Sequence, residues 1–196
     1  MTWNTGSPPG RHTTVDLSPP NPPQPICRRR THRNRFVAAE PTTTVTRVCL
    51  LGSEDVDVQY ALLSREPARE ALSTYERPAP FENSLAVDTV SLGAAVSLCN
   101  DLNWYLVRFV ELALVREPSV STEEWLSRSL AAAIRDGTVD PDGTGDRLAV
   151  YGVADGRVVE PMYVTRRPDG TVPDYDLRDL PETVTVRVTD AEFDAG

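Results

Sequence analysis

The polar residues of this sequence that could carry chemistry gather in the stretch NDLNWYLVRFVE, residues 100–111. They are two amides, an indole, a guanidinium and a carboxylate: Asn100, Asn103, Trp104, Arg108 and Glu111. A carboxylate such as Asp101 or Glu111 beside Arg108 could do acid–base work without histidine if burial separated the pKa values of paired acids. Since no spacing singles out such a pair, we predict no catalytic residue and treat the five as interface or ligand-binding candidates.

Asn103 has the most informative position of the five. It lies at helical spacing among Val96, Cys99, Leu106 and Val110, which predicts that its amide is at least partly buried. A buried amide needs hydrogen-bond partners, and one polar residue in an apolar helix face can fix register or oligomeric state. A structural or interface role is therefore favoured over a ligand site.

The absence of two residue types excludes many reactions. The chain has no lysine, and both histidines, His12 and His32, lie in its first 44 residues. Residues 45–196 therefore cannot form a Ser-His-Asp nucleophile, a lysine Schiff base, a P-loop lysine contact or a Cys/His zinc site. We predict no metal, no cofactor and, on balance, no enzymatic activity.

Two other groups of residues are better explained by structure than by chemistry. Cys49 lies in an apolar run and Cys99 on an apolar helical face, which is typical of small core residues rather than of a redox pair. The acidic stretch DPDGTGDRLAVY (140–151) resembles the start of a calcium loop, but Tyr151 replaces the bidentate glutamate at the twelfth position. We interpret it as a solvated turn.

Charge and composition change abruptly near residue 45. Residues 1–44 carry six arginines, two acids and eight of the 17 prolines, whereas residues 45–196 carry 14 arginines and 27 acids. A Pro-rich stretch with few apolar residues cannot offset its ordering entropy, so residues 1–44 are predicted to be disordered. Residues 45–196 are predicted to form a single acidic domain.

Two interpretations of the first 44 residues are left open. A valine codon can serve as a start, and a chain that begins at Val45 would enter its first strand at once, which makes residues 1–44 a mis-called start. The alternative is a basic, disordered arm that contacts nucleic acid or an acidic partner. The simultaneous change of charge, proline content and periodicity favours the first interpretation.

A domain with 27 acids and no lysine suits a salt-rich cytoplasm, because at about 1 M salt the Debye length falls to about 3 Å and screens the repulsion. The stretches TRVCLLGSEDVDVQYALLSRE, SLGAAVSLCNDLNWYLVRFVELALVREPSVSTEEWL and VEPMYVTR resemble a family of small acidic haloarchaeal proteins classed as a domain of unknown function. The resemblance covers roughly residues 45–190. The resemblance implies a halophilic archaeal origin and a single domain, and it implies no particular activity.

The most strongly patterned segment is residues 91–116, where apolar residues follow helical spacing from Leu92 to Ala113. Leu98, Tyr105 and Leu114 widen the apolar arc beyond one stripe. A helix that is apolar over most of its circumference is buried on several sides. The pattern predicts one long central helix, covered by the rest of the domain or by a second copy.

A second, amphipathic helix is predicted to begin at Ser121 and to end at Gly137. Ser121 and Glu124 have the spacing of a capping box, and Glu124 and Arg128 have the spacing of an i, i+4 ion pair. With the hairpin that follows, the two helices resemble a winged helix-turn-helix. The charges of the second helix nearly cancel, which disfavours nucleic-acid binding unless the basic arm is real.

Strands are predicted on both sides of this helical pair. RVCLL (47–51), SLAVDTV (84–90) and ETVTVRV (182–188) have strand patterns, and VDVQYALL (56–63) fits a strand or a helix start. LAVYGVADGRVVEPMYVTR (148–166) predicts a hairpin that turns at Asp155-Gly156, with Pro161 on an edge strand. The fold class is α+β: a mixed or antiparallel sheet packed on a central long helix and a second amphipathic helix.

Function is predicted from these features together. Arg108 and Glu111 interrupt the most apolar stretch, so no membrane span is expected, and a cytoplasmic location is predicted. We predict a non-catalytic domain that acts through association with an unidentified protein, or with a second copy through the 91–116 helix. The alternative is a carboxylate-based enzyme or a small-ligand-binding domain.

Overall fold

The computed structural model describes residue 1, residues 45–173, residue 180 and residues 182–196. Residues 2–44, predicted to be disordered, lie outside the described residues. The described part of the chain is α+β, with seven strands in one sheet and six α-helices.

The strands, in chain order, are β1 (Thr46–Gly52), β2 (Ser84–Thr89), β3 (Val110–Arg116), β4 (Trp125–Ser127), β5 (Arg147–Ala154), β6 (Arg157–Thr165) and β7 (Glu182–Arg187). The helices are α1 (Val58–Leu63), α2 (Glu66–Ala71), α3 (Leu92–Asp101), α4 (Asn103–Phe109), α5 (Arg128–Arg135) and α6 (Asp190–Asp194). A 3₁₀ turn covers Pro141–Gly143.

The strand order is β2-β1-β3-β4-β7-β5-β6. Strands β4 and β7 pair in parallel, and the other described pairs are antiparallel. The sheet is therefore mixed, which is one of the two arrangements that the sequence predicts. Strands predicted at RVCLL, SLAVDTV and ETVTVRV are confirmed as β1, β2 and β7.

The segment VDVQYALL, which the sequence leaves open, forms helix α1. The Asp57 carboxylate accepts a hydrogen bond from Tyr60 N at 2.9 Å and caps the helix start. Val58, Ala61 and Leu62 are buried, which is the i, i+3, i+4 pattern of an amphipathic helix rather than the alternation of a strand.

The single long helix predicted over residues 91–116 is not confirmed. The segment instead forms α3, a break at Leu102, α4, and then the central strand β3. Strand β3 pairs with β1 from Arg47↔Arg116 to Gly52↔Val110.

The physical reason is that β3 lies between two apolar clusters. Leu114 packs in the cluster on one side of the sheet, and Val115 packs in the cluster on the other. A strand covered on both faces is apolar at nearly every position, and such a run also satisfies helical spacing. The residues of this segment that pack in the two clusters are thus covered by the rest of the domain, one of the two alternatives that the sequence left open.

The second helix begins later than the sequence predicts. Ser121 Oγ does accept from Glu124 N at 3.0 Å, but residues 125–127 form β4. Helix α5 starts at Arg128, where the Ser127 hydroxyl caps Leu130 N at 3.1 Å. The strand takes precedence because its pairing with β3 and β7 buries Trp125 and Leu126.

Glu124 does not form the predicted ion pair with Arg128. Its carboxylate accepts hydrogen bonds from Arg166 Nη2 at 2.5 Å and from Arg187 Nε at 2.6 Å. Burial alone would raise the pKa of Glu124, but the two guanidinium groups outweigh it and hold that pKa below its ordinary value. The contact joins the start of β4 to the ends of β6 and β7.

The hairpin of β5 and β6 forms as predicted. Asp155 (φ 51°) and Gly156 (φ 80°) make its turn, and both have the left-handed backbone that a tight hairpin requires. Strand β6 is at the edge of the sheet. Proline has no backbone N–H to donate, and an edge strand tolerates this because one of its sides pairs with no other strand.

Both described cysteines are core residues. Burial raises the pKa of the Cys49 thiol to about 12 and that of Cys99 to about 11. Such thiols are neutral and poorly nucleophilic at physiological pH, which confirms the structural interpretation of both. In the described residues, no helix combines the length and the hydropathy needed to cross a bilayer.

Candidate functional site

The five residues singled out by the sequence do not form one site. Asn100, Asn103, Trp104, Arg108 and Glu111 are all exposed. The expectation that Asn103 is partly buried is wrong, because the break at Leu102 turns α4 so that Leu102 and Leu106 enter the core instead.

Asn103 contributes to the junction of three helices, whereas Asn100 makes only a long contact there. Arg128 Nη2 donates to Asn103 Oδ1 at 2.9 Å and approaches Asn100 Oδ1 at 3.5 Å. The same nitrogen donates to the Cys99 carbonyl at 3.3 Å. The start of α5 is thereby joined to the end of α3 and the start of α4.

Trp104 and Arg108 lie on a separate exposed face of α4. The Arg108 guanidinium is 5.6 Å from the centre of the Trp104 ring, and Trp104 meets Tyr105 and Phe109 edge to face at 5.0 and 6.2 Å. Trp104 is 59% exposed and Val107 is 78% exposed. We call this face, defined by Trp104, Val107 and Arg108, the Trp104 surface.

Glu111 lies at the start of β3, and it lines a cavity of about 730 Å³. The cavity exists because the two edges of the sheet approach each other. The hairpin tip contacts the loop before β2, where Glu82 N donates to the Gly156 carbonyl at 2.8 Å and Arg157 Nη2 donates to Glu82 Oε1 at 3.1 Å.

The cavity has an apolar part and an acidic rim. Leu51, Leu112, Val158 and Pro161 line the apolar part. The charged groups are four carboxylates and one guanidinium, namely Glu54, Glu82, Glu111, Glu160 and Arg157. Because Arg157 already binds Glu82, the field inside this acid-rimmed cavity is negative.

Asn83 holds one wall of the cavity in place. Its φ is 52°, in the left-handed region that asparagine tolerates better than most residues. Asn83 Oδ1 accepts from Val58 N at 2.9 Å, while Nδ2 donates to the carbonyls of Ser53 and Val56 at 3.1 and 2.8 Å. These bonds fix the loop that carries Glu54.

Tyr151 of β5 lies where this cavity meets a smaller one of about 280 Å³, and Glu111 and Leu112 also line both. Burial, followed by the proximity of Tyr163, Glu192 and Glu111, raises the pKa of Tyr151 to about 12. The phenol is therefore neutral at physiological pH and is available as a hydrogen-bond donor.

Two of the groups that line the cavity, Glu82 and Tyr151, are poorly suited to acid–base chemistry. The hydrogen bond from Arg157, followed by its charge, lowers the pKa of Glu82 below the ordinary value. Tyr151 and Glu82 are thus both shifted away from neutral pH, whereas an efficient general acid or base has a pKa near it. Among the described residues, no group of three or more His, Cys, Asp or Glu is placed to hold a metal ion.

Sequence reasoning missed most of this site. Of this site, the sequence singled out Glu111 and predicted the hairpin that carries Arg157. The meeting of Glu82 with Arg157 joins residues 75 positions apart, and no local pattern reports it.

A comparison with protein-family models gives one match, to a family of unknown function (DUF5804), over residues 46–153. This is more than half of the chain. The chain belongs to that family. The match includes Glu54, Glu82, Asn83, Glu111 and Tyr151 and ends before the hairpin turn. No curated protein and no solved structure matches the chain.

Proposed function

We propose that this domain is a non-catalytic module that binds a small, positively charged organic molecule in the acid-rimmed cavity. The observation that carries the proposal is the volume of about 730 Å³, which lies within the range of ligand pockets, together with an apolar interior and a few convergent polar groups. A cation with an apolar portion matches both parts of the lining.

The chemistry of the lining supports binding over turnover. Residues 45–196 lack histidine and lysine, and the shifted pKa values of Tyr151 and Glu82 move away from neutral pH. The neutral Tyr151 phenol and the Glu111 carboxylate remain as hydrogen-bonding groups. This combination orients an amine ligand and offers no efficient proton transfer.

Binding is tested by titrating the protein with a series of amines, beginning with spermidine. Calorimetry at constant ionic strength measures the affinity for each amine. Replacement of Glu111 and Glu160 by glutamine weakens binding by about threefold for each carboxylate, the magnitude of an exposed ion pair. Glu70→Gln, an exposed acid on α2, is the matched control and leaves binding unchanged.

A second variant tests the cavity itself. Leu112→Trp fills the apolar part and abolishes binding, while an uncharged isostere of the ligand binds weakly to the wild type. Equal binding of amines by the wild type and by Leu112→Trp would place the ligand elsewhere. Saturable turnover of a bound amine would show that the domain is an enzyme.

Association with another protein is the second candidate, and the Trp104 surface favours it. An exposed tryptophan stacked with arginine is the side-chain chemistry enriched at interfaces. Sedimentation in multimolar KCl distinguishes a dimer from a monomer. Trp104→Ser lowers the dimer fraction if this face pairs two copies. Val90→Ser, which changes an exposed hydrophobic residue outside the Trp104 surface, leaves the dimer fraction unchanged.

The salt-rich cytoplasm inferred from composition is part of this proposal. It sets the condition for both experiments, since a chain with 29 acids and 20 bases repels itself at low salt.

A further inference from the structure

Two arginines lie side by side at the end of β1 and β3 that is remote from the acid-rimmed cavity. The sheet register places Arg47 directly opposite Arg116, and it places Asp88 of β2 on the other side of Arg47. Three neighbouring strands thus present two cations and one anion in a row.

Asp88 neutralises only one of the two cations. Its Oδ1 accepts from Arg47 Nε at 2.6 Å and its Oδ2 accepts from Arg47 Nη2 at 2.8 Å, which is a bidentate pair. Within the described residues, no carboxylate oxygen lies within 4.0 Å of Arg116. The positive charge of Arg116 is therefore left without a counter-charge.

The neighbouring acid in sequence does not serve Arg116. Glu117 accepts hydrogen bonds from Thr46 Oγ1 at 2.5 Å and from Ser119 Oγ at 2.8 Å. Glu117 follows the end of β3, and these hydrogen bonds hold its carboxylate on Thr46 and Ser119.

The guanidinium of Arg116 is held rather than mobile. It lies 4.2 Å from the centre of the Trp125 ring, and Trp125 is itself buried. Arg116 Nε is buried and has no hydrogen-bond partner in the part of the chain that the structure describes. A ligand from solvent therefore does not reach Nε; among the described residues the Nη1 and Nη2 nitrogens of Arg116 have no hydrogen-bond partner either, and they form the edge that a ligand can approach.

We propose that Arg116, with Arg47 beside it and Trp125 beneath it, binds an oxyanion, either a free phosphate or the phosphate or carboxylate group of a small molecule. A guanidinium that stacks on an aromatic ring keeps its in-plane N–H groups free of the ring, and the edge formed by Nη1 and Nη2 matches two oxygens of such a group. Arg47, whose charge Asp88 balances, borders the site at the adjacent position. The site is independent of the amine-binding cavity.

The experiment measures Trp125 fluorescence in a Trp3→Phe, Trp104→Phe background, which leaves one of the three tryptophans. Inorganic phosphate and acetate are titrated separately, with ionic strength held constant by KCl. Saturable quenching by phosphate alone assigns the site to phosphate groups, and quenching by acetate assigns it to carboxylates. Either result supports the proposal.

Three variants test the role of Arg116. Arg116→Gln weakens anion binding by at least tenfold, and Arg116→Lys, which keeps the charge but lacks the planar fork, gives an intermediate affinity. Arg135→Gln, an exposed arginine paired with Asp136, leaves affinity unchanged.

Two results would overturn the proposal: no saturable response of the wild type to either anion, or equal affinities for the wild type and Arg116→Gln. If Arg116→Gln fails to fold, the lysine variant still tests the proposal, because affinity equal to that of the wild type would refute recognition by the fork.

Discussion

The side chain of Asn83 holds the loop beside the acid-rimmed cavity through several hydrogen bonds. Removing this side chain tests how much those bonds contribute to the free energy of unfolding. The amide makes three hydrogen bonds to the backbone of the loop between β1 and α1, at 2.8, 2.9 and 3.1 Å. The residue also has a φ of 52°. Asn83→Ala removes all three bonds and places a less tolerant residue in the left-handed region.

The magnitude follows from these two contributions. Each hydrogen bond contributes about 1 kcal/mol net, and water replaces part of it at this half-buried position, so the bonds account for about 2 kcal/mol. Alanine at positive φ costs about 1 kcal/mol more. Asn83→Ala therefore lowers the free energy of unfolding by about 3 kcal/mol, whereas Asn83→Gly, which tolerates the φ angle, lowers it by about 2 kcal/mol.

Urea denaturation at constant high KCl measures all three proteins. Asn100→Ala is the matched control, since this exposed amide makes only one long contact at 3.5 Å, and a change below about 0.5 kcal/mol is expected. If Asn83→Ala lowered the free energy of unfolding by less than about 0.5 kcal/mol, the three hydrogen bonds would not contribute the stability assigned to them. Equal losses in the alanine and glycine variants would refute the argument from φ.

Two further predictions concern buried ionisable groups. Because the folded-state pKa of Glu124 is lowered, its stabilisation is present above the unfolded pKa and is lost as the pH falls through the folded value. Glu124→Gln thus lowers the free energy of unfolding, measured by urea denaturation, by about 2 kcal/mol at pH 7 and by progressively less below about pH 4.5. A difference between wild type and variant that did not change with pH would contradict this. In a Cys27→Ser background, Cys49 and Cys99 resist a thiol reagent at pH 8 until urea unfolds the chain, because burial raises both pKa values. Stoichiometric labelling of the folded protein would place a thiol outside the core.

The turn chemistry and the strand patterns of this chain are predictable from sequence because their causes are local. Asp155 and Gly156 set the hairpin through their own backbone preferences, and Pro161 is confined to an edge strand by its missing N–H. Cys49 and Cys99 are identified as core residues because Cys49 lies in an apolar run and Cys99 on an apolar helical face.

The segment 91–116 shows where local patterns fail. Val110 to Arg116 fits helical spacing, yet it forms a strand, because β1 on one side and β4 on the other supply backbone partners that no local pattern reports. The same competition converts Trp125–Ser127 from a predicted helical turn into a strand. Hydrogen-bonding partners far away in sequence override local propensity in both places.

The candidate sites also combine features that are readable from sequence with features that depend on the fold. The sequence alone identified Glu111 as a polar residue of interest, excluded chemistry that needs histidine or lysine in residues 45–196, and predicted an α+β domain. Only the tertiary structure brought Glu82 to Arg157 to close a cavity, and set Arg116 against Trp125 with no carboxylate of the described residues beside it. Residue types fix which interactions are possible, whereas the distances between groups 9 to 75 positions apart depend on how the sheet pairs and curves.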